Sequence, residues 1–137
     1  MRTSRRKDRA WRVSMTDSVD SEVGPYIARL SESSSSPLGS VERCQGDECD
    51  ASIRFFTGRE DILCSGRLTD HHEHCTKFSY TDMRATPPTV WLNKKSWDCN
   101  KPRYRDYIVE HELRHALLDE RHADSGVMRQ QSHELGC

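Results

Sequence analysis

Residues 107–128 read YIVEHELRHALLDERHADSGVM, with three histidines, a glutamate beside the first and a late methionine. Val109, Leu113, Ala116 and Leu117 recur at i, i+4, i+7 and i+8, the apolar stripe of a helix running from Tyr104 to about Leu118. Ile108 and Leu118 add apolar character on a second side, beside His111 and His115. A helix apolar on two sides is expected to be buried. His111 and His115 are four residues apart, so both imidazoles lie on one helix face and can reach the same ion.

Glu112 follows the first histidine, completing the pattern HExxH. In that pattern the glutamate is not a ligand: it takes a proton from an attacking water and passes it to the leaving amine. The ion expected is Zn2+, which lowers the pKa of a coordinated water to about 7 and polarises the scissile carbonyl. Imidazoles on an inward face need partners, and a metal supplies them. The competing reading is a helix whose histidines are satisfied within the core or lie exposed. HELGC at residues 133–137 repeats the HE pair but has too little chain after it to build a helix.

Two ligands leave a catalytic zinc short, because three protein ligands plus water are usual. His122, Asp119, Glu120 and Asp124 are the candidates for the third. His122 is favoured, with Asp119 and Asp124 as the alternatives. On an unbroken helix His122 would lie about 16 Å along the axis from His111 and out of reach.

The stretch resembles the metzincin pattern HExxHxxGxxH, which is followed by a Met-turn. Together with VWLNKKSW at 90–97, YRDYIVEHELRHAL at 104–117 and SGVMRQQSHELGC at 125–137, it is similar to a family of small metzincin-like domains. Asn93, Trp97, Tyr104, Arg105, Tyr107, Met128, Gln130, Gln131, Ser132 and Cys137 carry that resemblance over roughly residues 51 to 137. Three departures stand out. Arg114 occupies the place of a glycine within HExGH, the turn glycine is absent, and no cysteine follows the third histidine in HADSGVM. Counted without gaps, Leu118 falls at the glycine position and Arg121 at the third-histidine position, so His122 comes one residue late. A helix one residue longer makes Asp119 the turn residue and restores the G-x-x-H spacing as DERH. Asp tolerates the left-handed conformation better than most residues other than Gly.

The resemblance implies an α+β zincin-like fold: a small twisted sheet, an active-site helix with two ligands, and a short C-terminal portion with the third. It implies zinc on His111, His115 and His122, with Glu112 catalytic and Met128 as a hydrophobic floor beneath the metal. It also implies that an edge strand, expected at TVWLN, pairs with an extended peptide or protein substrate. Trp91 and Trp97 are read as core packing. Cys137 is expected to pair with Cys99, and Cys64 with Cys75.

Outward from the helix the chain divides in two. Residues 1–48 read as a tail or linker, basic at first and then Ser-rich (SESSSSPLGS, 31–40), with GPYIARL at 24–30 forming at most one helical turn. Residues 49–137 form the catalytic domain. In it ASIRFF (51–56), KFSYT (77–81) and TVWLN (89–93) read as strands, TGRED (57–61) as a turn, TPP (86–88) as a break and WDCNKP (97–102) as a loop. About 90 ordered residues make a marginal core, which a metal or disulfides would support.

Of the 137 residues 34% are hydrophobic and 31% charged, which fits a chain that is unpacked in part. A formal net charge of -1 argues against nucleic-acid binding by the domain, leaving only weak anionic contact by the basic tail. No apolar run is long enough for a membrane span, and a monomer is expected. The basic N-terminus lacks the apolar core of a secretory signal, which favours an intracellular location. The six cysteines point instead to an oxidising compartment. DHHEHC (70–75) with Cys44 and Cys49 offers a mixed Cys/His zinc site, against which stands oxidation of the cysteines in pairs. The main functional expectation is a zinc-dependent endopeptidase. The alternative is a non-catalytic zinc-binding module that docks peptides or a partner.

Overall fold

The structure is a computed structural model that describes residues 10–45, 48–56, 79–123 and 126–128. Its elements in chain order are β1 (Trp11–Ser14), α1 (Asp17–Ser31), β2 (Val41–Cys44), β3 (Ala51–Phe56), β4 (Tyr80–Asp82), β5 (Thr89–Asn93), α2 (Lys94–Cys99) and α3 (Pro102–Leu118). The described strands form one sheet in the order β2-β1-β3-β5-β4, so the fold is α+β. β1 is parallel to β2 and β3, β3 is parallel to β5, and β4 runs antiparallel to β5.

Residues 10–45 are not a tail. β1 sits inside the sheet, between β2 and β3. Trp11 and Val13 face the core, while Arg12 and Ser14 alternate with them. α1 begins at Thr16, whose hydroxyl accepts from the Val19 amide at 3.3 Å, with Asp17 and Asp20 in the first turn. Val19, Val23, Tyr26, Ile27 and Leu30 form its buried stripe. GPYIARL is therefore the second half of a 15-residue helix and not a single turn. Gly24-Pro25 and the following serines read as chain breakers, but tertiary burial of that stripe outweighs them.

β3 and β5 occupy ASIRFF and TVWLN, paired from Ser52↔Thr89 to Phe56↔Asn93. β4 takes the last two residues of KFSYT together with Asp82. TVWLN is not the edge strand. It lies between β3 and β4, with ladder partners on both sides, and β4 is the edge of the described sheet. The expected loop at 97–102 is also partly helical. The Asn93 side chain caps the Ser96 amide at 3.2 Å and opens the six-residue α2, too short to show a period.

α1 packs on β2 and β3, α3 packs on β4 and β5, and the two helices touch. Trp97, 1% exposed, fills the junction: Tyr26 and Phe55 meet it edge-on with ring centroids at 5.2 and 5.7 Å. Its indole N–H donates to Glu22 at 3.2 Å, and the Arg105 guanidinium lies 5.0 Å from its ring. Trp97 is thus a core residue, while Trp91 is half-buried beneath Arg54.

Cys44 and Cys49 form a disulfide with Cα atoms 5.8 Å apart, so neither offers a thiolate to a metal. Cys99 is also disulfide-bonded. Cys64, Cys75, Cys137, the TGRED turn, DHHEHC, the GlnGlnSer segment at 130–132 and the basic residues 1–9 lie outside the described residues. Among the described residues no helix is long and apolar enough to cross a membrane.

Candidate metal centre

α3 starts with Pro102 at its first turn, where a missing N–H does no harm. It buries Ile108, Val109, Leu113, Ala116 and Leu117, and this anchoring fixes which way the polar residues between them point. His111 is fully buried, Glu112 is 2% exposed, and His115 is half-buried one turn later.

The helix ends at Asp119, with φ 56 and ψ 33 in the left-handed region. Its amide donates to the His115 carbonyl at 3.1 Å, and the Glu120 amide donates to the Arg114 carbonyl at 3.2 Å. Together these bonds close the helix end and turn the chain back. His122 returns over the two helical histidines: one ligand atom from each of His111, His115 and His122 lies within 4.8 Å of the others. The ring centroids stand 4.8 Å apart for His111 and His115, 5.3 Å for His111 and His122, and 4.9 Å for His115 and His122. This cluster could hold a metal ion. Asp119 is exposed and outside the cluster; Asp124 is beyond the described residues.

Hydrogen bonding fixes the tautomers of the two helical histidines. His111 Nδ1 lies 2.6 Å from the Val127 carbonyl, and His115 Nδ1 lies 2.7 Å from the Glu120 carbonyl. A carbonyl only accepts, so each Nδ1 carries the proton and each Nε2 is left with its lone pair. His111 Nε2 is buried and has no hydrogen-bond partner among the described residues. A buried, unsatisfied acceptor beside two further imidazoles fits a cation better than any packing role.

The electrostatics favour the neutral, ligating form. Burial pushes His111 down to about 4, opposed by its bond to Val127 and aided by the neighbouring His115, His122 and Arg114. His115 is lowered by burial, which outweighs its bond to the Glu120 carbonyl. His122 is lowered by burial alone.

Glu112 meets Thr81 of β4, whose hydroxyl lies 2.7 Å from Glu112 Oε1 and 3.1 Å from the Glu112 carbonyl. Met128 is 3% exposed, its carbonyl accepts from the Ala123 amide at 2.8 Å, and the Val127 carbonyl beside it is the partner of His111. Thr81 and the two carbonyl partners were not visible as site residues in the sequence. A threonine in a short strand carries no signal of which helix it faces, and a backbone carbonyl has no residue type.

No protein-family model matches the chain, and comparison with curated proteins finds no match.

Proposed function

We propose that the chain is a zinc-dependent endopeptidase with a metzincin-like arrangement of its site. The observation that carries this is the buried Nε2 of His111, without a hydrogen-bond partner among the described residues, within a cluster of three histidine ligand atoms and next to a buried glutamate. Three neutral imidazoles suit zinc among the available divalent ions and leave a coordination position for a reactant. When bound there, zinc supplies Lewis acidity toward the scissile carbonyl and a water of lowered pKa.

The residues divide the remaining work. His111, His115 and His122 would hold the ion, with the first two locked by their Nδ1–H bonds. Glu112 acts as the base that accepts the proton of the attacking water and then delivers it to the departing amine. Thr81 holds the carboxylate by its Oε1 and ties it to the sheet edge. An extended peptide pairs with the outer side of β4, so the strand that binds the substrate also carries the residue that orients the base. Met128, buried and next in the chain to the carbonyl that holds His111, would supply an apolar floor to the site.

The test is zinc content by elemental mass spectrometry on wild type and His122→Ala, followed by cleavage of a broad peptide library by wild type and Glu112→Gln. One zinc in wild type, strong depletion in His122→Ala, and turnover abolished in Glu112→Gln with zinc retained are expected. Zinc without any turnover in wild type would leave a metal-binding docking module. A folded wild type without zinc would end the peptidase reading.

A further inference from the structure

We propose that Arg114 is a positioning residue for the metal centre: by gripping Glu120 it holds the non-helical segment that brings His122 back to His111 and His115. The inference rests on the reading of these histidines as a metal site.

The segment after α3 has little apolar surface to hold it. Asp119, Arg121, His122 and Ala123 are all exposed. Among the described residues its attachment to the helix is concentrated on Glu120, which is held by each of its polar groups. The amide donates to the Arg114 carbonyl at 3.2 Å. The carbonyl accepts from His115 Nδ1 at 2.7 Å. The carboxylate takes a two-pronged grip from Arg114, Nε to Oε2 and Nη2 to Oε1, both at 3.0 Å. The third arm of the guanidinium, Nη1, donates to Glu110 Oε2 at 3.0 Å one turn back, so the arginine is itself fixed to the helix. The arginine side chain is 19% exposed, and those of Glu110 and Glu120 are 17% and 29% exposed.

This geometry has two consequences for the site. The Glu120 carbonyl determines the tautomer and tilt of the His115 ring, and Glu120 lies two residues before His122. Moving Glu120 therefore disturbs two of the three ligands together. A planar guanidinium that grips one carboxylate and reaches a second cannot be replaced by the single ammonium of lysine. Where the sequence lacks a turn glycine, a left-handed Asp119 makes the bend and the Arg114–Glu120 pair holds it.

The experiment is zinc affinity by competition with a chromophoric chelator, together with the visible spectrum of the cobalt-substituted protein, for wild type, R114M, R114K, E120Q and R114M/E120Q. Wild type is expected to bind one zinc. R114M and E120Q should bind roughly 10- to 100-fold more weakly, the range for disturbing a ligand's outer partner. R114K should fall between. The double variant should be no weaker than the worse single variant, because both changes break one pair. The cobalt spectrum of the variants should shift as His122 leaves the coordination sphere, a change that general destabilisation of the fold would not produce. Should R114M fail to fold, R114K and E120Q carry the same comparison. Zinc affinities within twofold of a zinc-binding wild type would overturn the role of Arg114 and leave the metal site standing. Wild type without zinc would overturn the metal reading itself.

Discussion

Thr81 of the edge strand and Glu112 of the site helix are joined by a 2.7 Å hydrogen bond from the threonine hydroxyl to the glutamate Oε1. The same hydroxyl lies 3.1 Å from the Glu112 carbonyl, so its single proton is shared between the side chain and, more weakly, the backbone of that residue. β4 is only three residues long, and Thr81 is its middle residue. A peptide that pairs with β4 would therefore be placed by the element that sets the direction of Glu112, the proposed base.

Thr81→Val keeps the β-branched shape and removes the hydroxyl. A hydrogen bond to a charged group contributes about 1.5–3 kcal/mol, so kcat/KM should fall roughly 10- to 100-fold. Zinc content should not change, since Thr81 is not among the clustered ligands. Thr81→Ser should recover most of the rate. A Thr81→Val enzyme as fast as wild type would show that Glu112 is oriented without this bond.

Asp119 makes the bend between His115 and His122 with φ at 56. Left-handed backbone costs an ordinary L-residue about 1–2 kcal/mol, less for Asp and almost nothing for Gly. Asp119→Gly should leave denaturant stability and zinc affinity close to wild type. Asp119→Val should lower both, with a stability loss of about 1–2 kcal/mol. Equal behaviour of the Gly and Val variants would mean that the bend does not govern the site.

The site helix was legible because its signals are local. HExxH places two rings on one face, and Asp119 in DERH marks where the helix must break for His122 to return. The strands at 51–56 and 89–93 were equally plain, being β-branched or aromatic and bounded by polar residues. The order of those strands was not. Which of them is the edge depends on β4 adding antiparallel to β5, a non-local pairing that no residue at 89–93 announces. Residues 10–45 resist a sequence reading for a different reason. Their charge and serine content dominate the average, while the stripe Val19, Val23, Tyr26, Ile27 and Leu30 is interrupted by Gly24-Pro25. The cap at Thr16 and the i, i+4, i+7, i+8, i+11 spacing were the signals that could have found α1.

Packing of α1 into the core is open to a direct stability measurement. Ile27 is 5% exposed and Leu30 is 7% exposed, both within the core cluster. Ile27→Ala or Leu30→Ala should each destabilise the protein by about 2–5 kcal/mol in denaturant melts, as core truncations do. Residues of a disordered tail would give changes near zero. A stability loss below about 0.5 kcal/mol for both would return the segment to the status of a tail.

The metal-free protein should lose stability as the pH falls from about 6.5 toward 4. His111 is neutral in the folded state because burial holds it down to about 4 against an ordinary value of 6.5. In the unfolded chain it takes up a proton as the pH falls below 6.5, so in this window the unfolded state binds more protons than the folded one. The contribution of His111 is thus fully present above its unfolded pKa and is lost progressively down to its folded one. At 1.36 kcal/mol per pH unit this amounts to roughly 3 kcal/mol, and His115 and His122, also lowered, act in the same direction. Chemical denaturation of metal-free wild type and His111→Leu between pH 7.5 and 4 isolates the effect, because carboxylates elsewhere titrate equally in both. Wild type should lose stability more steeply than the variant over this range. Parallel curves would show that His111 is not buried as a neutral ring. Zinc should raise the stability of wild type alone, and should stay bound below pH 6 because protons compete weakly for the Nε2 lone pair of His111.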